Sequence, residues 1–436
     1  MKLLYGALVF FLFPSQALGR NYIEVGKKVG GIKRFDPYAI SSGRYVSSQT
    51  SDGLYLPVII DLKTNTRTVL KKLHEYLKNS KDSGTLSYAE QLKLKLDGKW
   101  KKWYSSKIIS FDGLNIVGLL HQGVSQGLNG NPSCKKCGAT ALKHKRTGKY
   151  YCPVCNRYLL PSSYLKIVDN YYLARVNLKS KKSETIKVEG SWQTGATDFR
   201  KKIVYIWKEK KIKSKRKRKI KILQIDFENM KKLSATEIDM PYRDKNGHLT
   251  VMLSRTGKYL VFFEYDEYSD TKKKTGYLSS PTGRALIINT SEMKSRKVEI
   301  PVTPYGFDID ESTNLLAVGS NQAGELWIIN LIKGKTIKKI KIARGVFHMV
   351  FSRNYKYLYV FNKRTFDTYL WKNLKKTNSF KVSKLCNGVE KFLASEKMIS
   401  FGDSGKAIIG VIKKSKYGPW GSSSFDDGFQ ILNLKE

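Results

Sequence analysis

Seven times along this chain an apolar run ends in Asp or Asn, and in six of those copies a bulky hydrophobe and then a polar turn follow. The copies are Ile60-Asp61-Leu62, Val176-Asn177-Leu178, Ile225-Asp226-Phe227, Ile288-Asn289-Thr290, Ile329-Asn330-Leu331, Lys372-Asn373-Leu374 and Leu432-Asn433-Leu434. A unit of roughly 40 to 60 residues with several short strands cannot cover its own apolar face, so successive units must stack. The period therefore predicts an all-β chain, a seven-bladed β-propeller over residues 20–436.

A second landmark precedes several copies. Ala39-Ile40-Ser41-Ser42-Gly43-Arg44-Tyr45-Val46 aligns without gaps on Leu253–Leu260 and on Phe351–Leu358, with weaker copies at Ser110–Gly113 and Asp310–Thr313. Each reads as two strands joined by a tight turn that wants Gly, Asn or Asp for its backbone angles. These stretches resemble the YVTN and WD40-like propeller families, most clearly at Tyr357-Leu358-Tyr359-Val360-Phe361-Asn362. The resemblance implies the same ring architecture. The last repeat stops at Lys435-Glu436, directly after its third strand, and leaves an edge open. An open edge invites association, so Lys27–Lys33 is expected to pair there and close the ring; the other reading is a frayed N-terminal arm.

The first residues carry the marks of export. Lys2 precedes an apolar core from Leu3 to Phe13, and Ala17-Leu18-Gly19 offers a small-residue cleavage site, so residues 1–19 read as a signal peptide. No stretch is long enough to cross a membrane as a helix. The mature chain is expected in the periplasm or outside the cell, as a monomer.

Two Cys-x-x-Cys pairs, Cys134/Cys137 and Cys152/Cys155, are separated by fourteen residues. Each pair can offer two thiolates from one knuckle, and two knuckles complete a tetrahedron around zinc. The segment resembles a zinc ribbon, with Cys-Gly and Cys-Pro-x-Cys details similar to rubredoxin knuckles, which leaves iron as the less favoured metal. It is read as an insertion over 122–165 within the second blade. Two disulfides are the rival reading, favoured by an oxidising compartment. A four-thiolate site has no open position for substrate, so its role would be structural. Cys386 is left over as an inert thiol.

Formal net charge is +44. Such a charge draws polyanions, although evenly scattered Lys can be compositional background. One cluster stands out: ten of the fourteen residues from Lys208 to Lys221 are Lys or Arg. They are Lys208, Lys210, Lys211, Lys213, Lys215, Arg216, Lys217, Arg218, Lys219 and Lys221. Left to itself such a run is a solvated loop tip. With Lys143, Lys145 and Arg146 of the Cys module it forms the candidate polyanion-binding set.

Four long insertions, after His121, Trp207, Glu264 and Lys413, are each expected to join the second and third strands of a blade, which would crowd them on one face. The third carries Glu264, Asp266, Glu267 and Asp270, expected to pair with neighbouring Lys. For catalysis the sequence offers His248, His348 and Asp308 on inner strands, but in the repeat alignment they fall at different depths. No G-x-S-x-G, H-E-x-x-H or glycine-rich phosphate loop occurs. The expected function is thus a non-enzymatic binding scaffold for an anionic polymer, an envelope surface or an acidic protein. The alternative is a metal-dependent hydrolase or lactonase with its site at the central channel.

Overall fold

The Asp/Asn repeat is a turn device. In this computed structural model Asp61, Asn177, Asp226, Asn289 and Asn330 each accept, through Oδ1, a backbone N–H two or three residues on, as from Lys63 at 2.9 Å and Lys333 at 2.7 Å. An Asx side chain that satisfies its own turn holds the chain tight between two strands. The next residue's N–H reaches back to the carbonyl of the preceding hairpin: Leu62 to Arg44, Leu178 to Leu114, Phe227 to Lys202, Thr290 to Lys258 and Leu331 to Asn314.

The structure describes residues 23–434 except 30–37, 40, 42, 50–55, 65, 78–81, 84–85, 127–129, 146, 148, 161–166, 190–191, 213–216, 242–247, 266–281, 302–303, 321–322, 363, 382–391, 402–404 and 414–428. Among the described residues there are seven four-stranded antiparallel sheets and one of three strands. Inner strand first, sheet 1 is Tyr38–Ala39, Tyr45–Gln49, Pro57–Asp61 and Thr66–Val69; sheet 2 is Lys101–Phe111, Asn115–Ser125, Ile167–Asn177 and Ser183–Glu189. Sheet 3 is Gln193–Asp198, Ile203–Ile212, Lys217–Asp226 and Lys231–Pro241; sheet 4 is His248–Leu253, Tyr259–Tyr265, Thr282–Asn289 and Ser295–Pro301. Sheet 5 is Pro304–Asp310, Leu315–Ser320, Glu325–Asn330 and Lys335–Lys341; sheet 6 is Val346–Phe351, Tyr357–Asn362, Thr365–Leu370 and Lys375–Lys381. Sheet 7 is Phe392–Phe401, Lys406–Lys413 and Phe429–Leu434, with Ile23–Val29 as its fourth strand.

The sheets stack as blades of a propeller. One apolar cluster fills each gap between successive sheets from 1 to 7. Between sheets 3 and 4, for example, Tyr205, Trp207, Ile220 and Ile222 meet Leu260, Phe262, Leu286 and Ile288. Trp207 and Phe262 there pack edge to face at 5.4 Å. The inner strands of sheets 1 and 2, 3 and 4, 5 and 6, and 6 and 7 also touch. Both sides of the second strands are thereby covered, which is why they read as nearly continuous apolar runs, such as Tyr357–Asn362, buried throughout, while the outer fourth strands stay largely exposed.

Two expectations need correction. The sixth copy of the repeat is Tyr369-Leu370-Trp371, three residues before Asn373. Trp371 N–H makes the equivalent bond, to Lys356 O at 2.9 Å. The residue four places past the Asx position is left-handed at Lys181, Met230, Met293 and Gly334, and in sheet 6 at Leu374 (φ 60°). Leu stands where the other copies carry Asp or Asn, so a match on side-chain type slid downstream to Asn373, whose Oδ1 caps Lys375 N–H instead. The closing strand also starts earlier than Lys27: Ile23–Val29 pairs antiparallel with Phe429–Leu434, from Ile23 opposite Leu434 to Val29 opposite Phe429. Gly30-Gly31, in the middle of the expected stretch, is poor strand sequence. Leu434 N–H completes the seventh backbone tie, to Gly405 O at 2.6 Å.

Candidate metal centre and basic face

Antiparallel order places the turns between first and second strands, and between third and fourth, on one face of the ring. The second-to-third connections and the links between sheets lie on the other. Three of the four expected insertions, 126–166, 266–281 and 414–428, are long connections between second and third strands, whereas in sheet 3 the strands themselves extend and only 213–216 joins them. The helix Tyr88–Leu96, whose N-terminus is closed by Ser87 and Glu90 in a capping box, lies in the link from sheet 1 to sheet 2 on that same face.

The first connection carries the Cys module. Sheet 2's second strand runs to Ser125, slightly into the span assigned to the insertion, and its third begins at Ile167. Between them Leu142–Lys143, Tyr150–Cys152 and Arg157–Tyr158 make the three-stranded sheet. Cys134, Ala141, Tyr150, Cys152 and Leu159 form its small core, against which Leu96 of the helix packs. The first knuckle closes through Gly138 N–H to Cys134 O at 2.7 Å, with Gly138 at φ +74°, a left-handed angle that costs glycine nothing.

The four sulfurs lie within 4.8 Å of one another. The short separations run across the knuckles: 3.4 Å from Cys137 to Cys152 and 4.0 Å from Cys134 to Cys155. Sulfurs bound at about 2.3 Å around a tetrahedral ion sit about 3.8 Å apart, whereas a disulfide needs about 2.05 Å. The donor set therefore fits a metal coordinated by four thiolates. Knuckle N–H groups of Lys136 and Cys137 aim at Cys134 sulfur and pull its thiol down to about 6. The hydrogen bond with Cys137, and burial, push the Cys155 thiol up to about 12. Four sulfurs this close cannot all ionise without a cation between them.

Most of the second stretch is paired strand, where the run read alone predicts a loop tip. Strands of sheet 3 extend to Ile212 and restart at Lys217, with Lys208 opposite Lys221, Lys210 opposite Lys219 and Lys211 opposite Arg218. Alternation splits the run into two faces. Arg218 points into the gap toward sheet 4 and is completely buried. Its guanidinium binds Glu209 Oε2 at 3.0 Å and Glu264 Oε1 at 2.6 Å. Arg218 is thus removed from the polyanion set: it is a pin between two blades. Glu264, placed by sequence among loop acids that pair with Lys, is Arg218's partner across the gap.

The opposite face carries Lys208, Lys210, Lys219 and Lys221. Lys208 Nζ sits 4.6 Å from the ring centre of Trp192, a residue that the sequence did not single out. Lys219 is paired with Glu237 at 2.7 Å, which raises the lysine pKa and lowers that of the carboxylate. Lys221 and Lys210 act on Glu237 too, and Asp239, opposite Lys219, acts on that lysine, so two carboxylates serve the three cations.

Lys143 and Lys145 are exposed on the Cys module. Lys211 and Lys217 lie in the paired strands, while Arg146, Lys213, Lys215 and Arg216 fall outside the described residues, as do residues 1–19, Asp266, Glu267, Asp270 and Cys386. The channel residues occupy three levels of their strands: Asp308 near the turn end, His348 mid-strand and His248 at the far end. Asp308 Oδ2 accepts Phe351 N–H at 2.6 Å and lies 3.8 Å from Arg255, and burial pushes its carboxyl up to about 6. Burial pushes His348 down to about 4. These groups do not converge.

No protein-family model and no curated protein matches the chain. Solved structures similar to it include a chain of the mitotic checkpoint complex (TM-score 0.48, 10% identity, covering 95% of this chain and 91% of that one). Others are U3-55K (TM-score 0.47, 8% identity, 94% and 97%) and a functionally unknown protein from Desulfotomaculum acetoxidans (TM-score 0.40, 11% identity, 91% and 98%). Among the described residues no helix is long and apolar enough to cross a membrane.

Proposed function

We propose that this chain is an exported, non-enzymatic binding scaffold that engages an anionic polymer or surface through the face bearing the Cys module and the basic hairpin, with zinc as the structural metal of the four thiolates. The lysine face of the hairpin carries the reading. Like charges directly opposite on paired strands destabilise a hairpin. Lys208 opposite Lys221 and Lys210 opposite Lys219 are held in that arrangement by the Arg218 pin on the other side, with Glu237 and Asp239 as counter-charges for four lysines. An arriving row of phosphates or carboxylates would supply what is missing. Because the paired strands already fix the backbone under these lysines, little backbone entropy remains to be lost there on binding.

The test is a salt titration with a twenty-nucleotide oligo-dT probe and, in parallel, vesicles containing phosphatidylglycerol. Replacing Lys208, Lys210 and Lys221 by Gln should weaken binding and lower the salt slope by about 0.7 per lost phosphate contact on the single strand. Replacing Lys63, Lys179 and Lys231, exposed on the opposite face, should leave it nearly unchanged, because charges further away than about 10 Å are screened at moderate salt. Equal losses from both triples would reduce the interaction to net charge and defeat the proposal.

A further inference from the structure

On the face opposite the basic hairpin, sheets 5 and 6 leave between them a groove of about 630 Å³. Its floor is apolar: Leu315, Ile328 and Ile337 from sheet 5, and Tyr355, Leu370 and Trp371 from sheet 6. Ile337 is 55% exposed in the middle of a strand that otherwise carries mostly Lys. Lys338, Lys356 and Lys372, all exposed, stand around it.

One acid, Asp310, lines the groove, and it is fully engaged. Its Oδ1 accepts from Ser312 N–H at 3.0 Å and from the Ser312 hydroxyl at 2.6 Å. Its Oδ2 accepts from the Thr313 hydroxyl at 2.6 Å and from the Trp371 indole N–H at 2.9 Å. Those bonds fix the floor: Asp310 belongs to sheet 5 and Trp371 to sheet 6, and the indole is further held edge-on by Phe351 at 4.6 Å. The groove is therefore preformed, apolar beneath and cationic above.

We propose that this groove docks an acidic peptide segment of a partner protein, one bulky apolar side chain seated on the Ile337–Trp371 floor and flanking carboxylates facing Lys338, Lys356 and Lys372. A pocket of this volume takes one large side chain with its adjoining backbone. A second copy of this chain is a poor occupant, because formal net charges of +44 repel. A bilayer surface cannot follow a recess between two blades. Nucleic acid would stack on open ring faces, and here the ring of Tyr355 already carries the Arg255 guanidinium at 4.6 Å.

The experiment uses the full chain and a fluorescein-labelled nonapeptide of Glu residues with one central Phe, followed by anisotropy. Saturable binding is expected, with about tenfold loss when the central Phe becomes Ala, and about tenfold loss for Ile337→Glu or for Lys338→Gln/Lys372→Gln, as for truncation of an anchoring contact. These side chains are exposed, so thermal midpoints should match the parent. Lys208→Gln/Lys210→Gln/Lys221→Gln should bind the peptide normally. Absence of saturable binding, indifference to the central Phe, or loss only with the hairpin triple would overturn the proposal. A concentration-dependent dimer that Ile337→Glu abolishes would do so too, by giving the groove to a second copy.

Discussion

The basic run holds two kinds of cation, and replacing Arg218 by Ala separates them. The guanidinium is entirely buried between sheets 3 and 4, with Glu264 at 2.6 Å, itself 7% exposed, and Glu209 at 3.0 Å, 23% exposed. Removal takes the guanidinium away from two carboxylates, of which Glu264 is nearly buried between the blades. Breaking a buried pair from one side costs about 3–5 kcal/mol, because the surviving charge stays desolvated. With an unfolding entropy of about 2.1 cal/mol/K per residue, a chain of 436 residues has about 0.9 kcal/mol/K in all, so the midpoint should fall by about 3–6 °C. Lys219→Ala, next along the strand, loses a solvent-screened pair 42% and 50% exposed and should shift the midpoint far less than Arg218→Ala. Differential scanning fluorimetry and urea unfolding would read both, and Glu264→Gln in the Arg218→Ala background should recover part of the loss, since the pair is coupled. An Arg218→Ala protein as stable as the parent, or one with unchanged stability and weakened oligo-dT binding, would refute the reasoning and return Arg218 to the surface set.

Three further outcomes are expected. Purified full chain should carry roughly one metal equivalent by elemental analysis, zinc foremost, and chelation should loosen the module around Cys134 and Cys152 while the blades keep their circular dichroism; four oxidised sulfurs in freshly prepared protein would end the proposal. Deleting residues 23–29 opens the edge of Phe429–Leu434 and should cost several kcal/mol and promote aggregation, read by light scattering; an unchanged midpoint and a monomeric deletion protein would contradict the closure. His348 is lowered by burial from 6.5 to about 4, so between these values the unfolded chain binds more protons and wild-type stability gains from His348 as pH rises from about 4 to 6.5. The advantage over His348→Gln should grow across that window; Asp308, raised to about 6, acts with opposite sign in both proteins and cancels in the comparison. A flat difference would place His348 in water.

The repeat in the sequence sufficed for the propeller, because its signal is local: an Asx side chain bonds its own turn two or three residues on, and covered strands must be apolar on both sides. For the same reason it failed once. Leu370 does by backbone alone what Asp61 or Asn330 does with a side chain, and no residue type announces that. The four cysteines were legible because two knuckles need only short spacing, and their mutual distances then follow from a hairpin. The Lys208–Lys221 run was legible in composition but not in meaning. Whether a cation meets solvent or a neighbouring blade depends on strand parity and on what lies across the gap, and Glu264 is 46 residues away from Arg218. The groove between Ile337 and Trp371 has no sequence signature at all, since its walls come from two sheets and its one acid accepts a hydrogen bond from an indole 61 positions downstream. Local hydrogen bonding and periodicity wrote the blades into the sequence; only their stacking decided which charges are buried, which are paired and which are left to meet a partner.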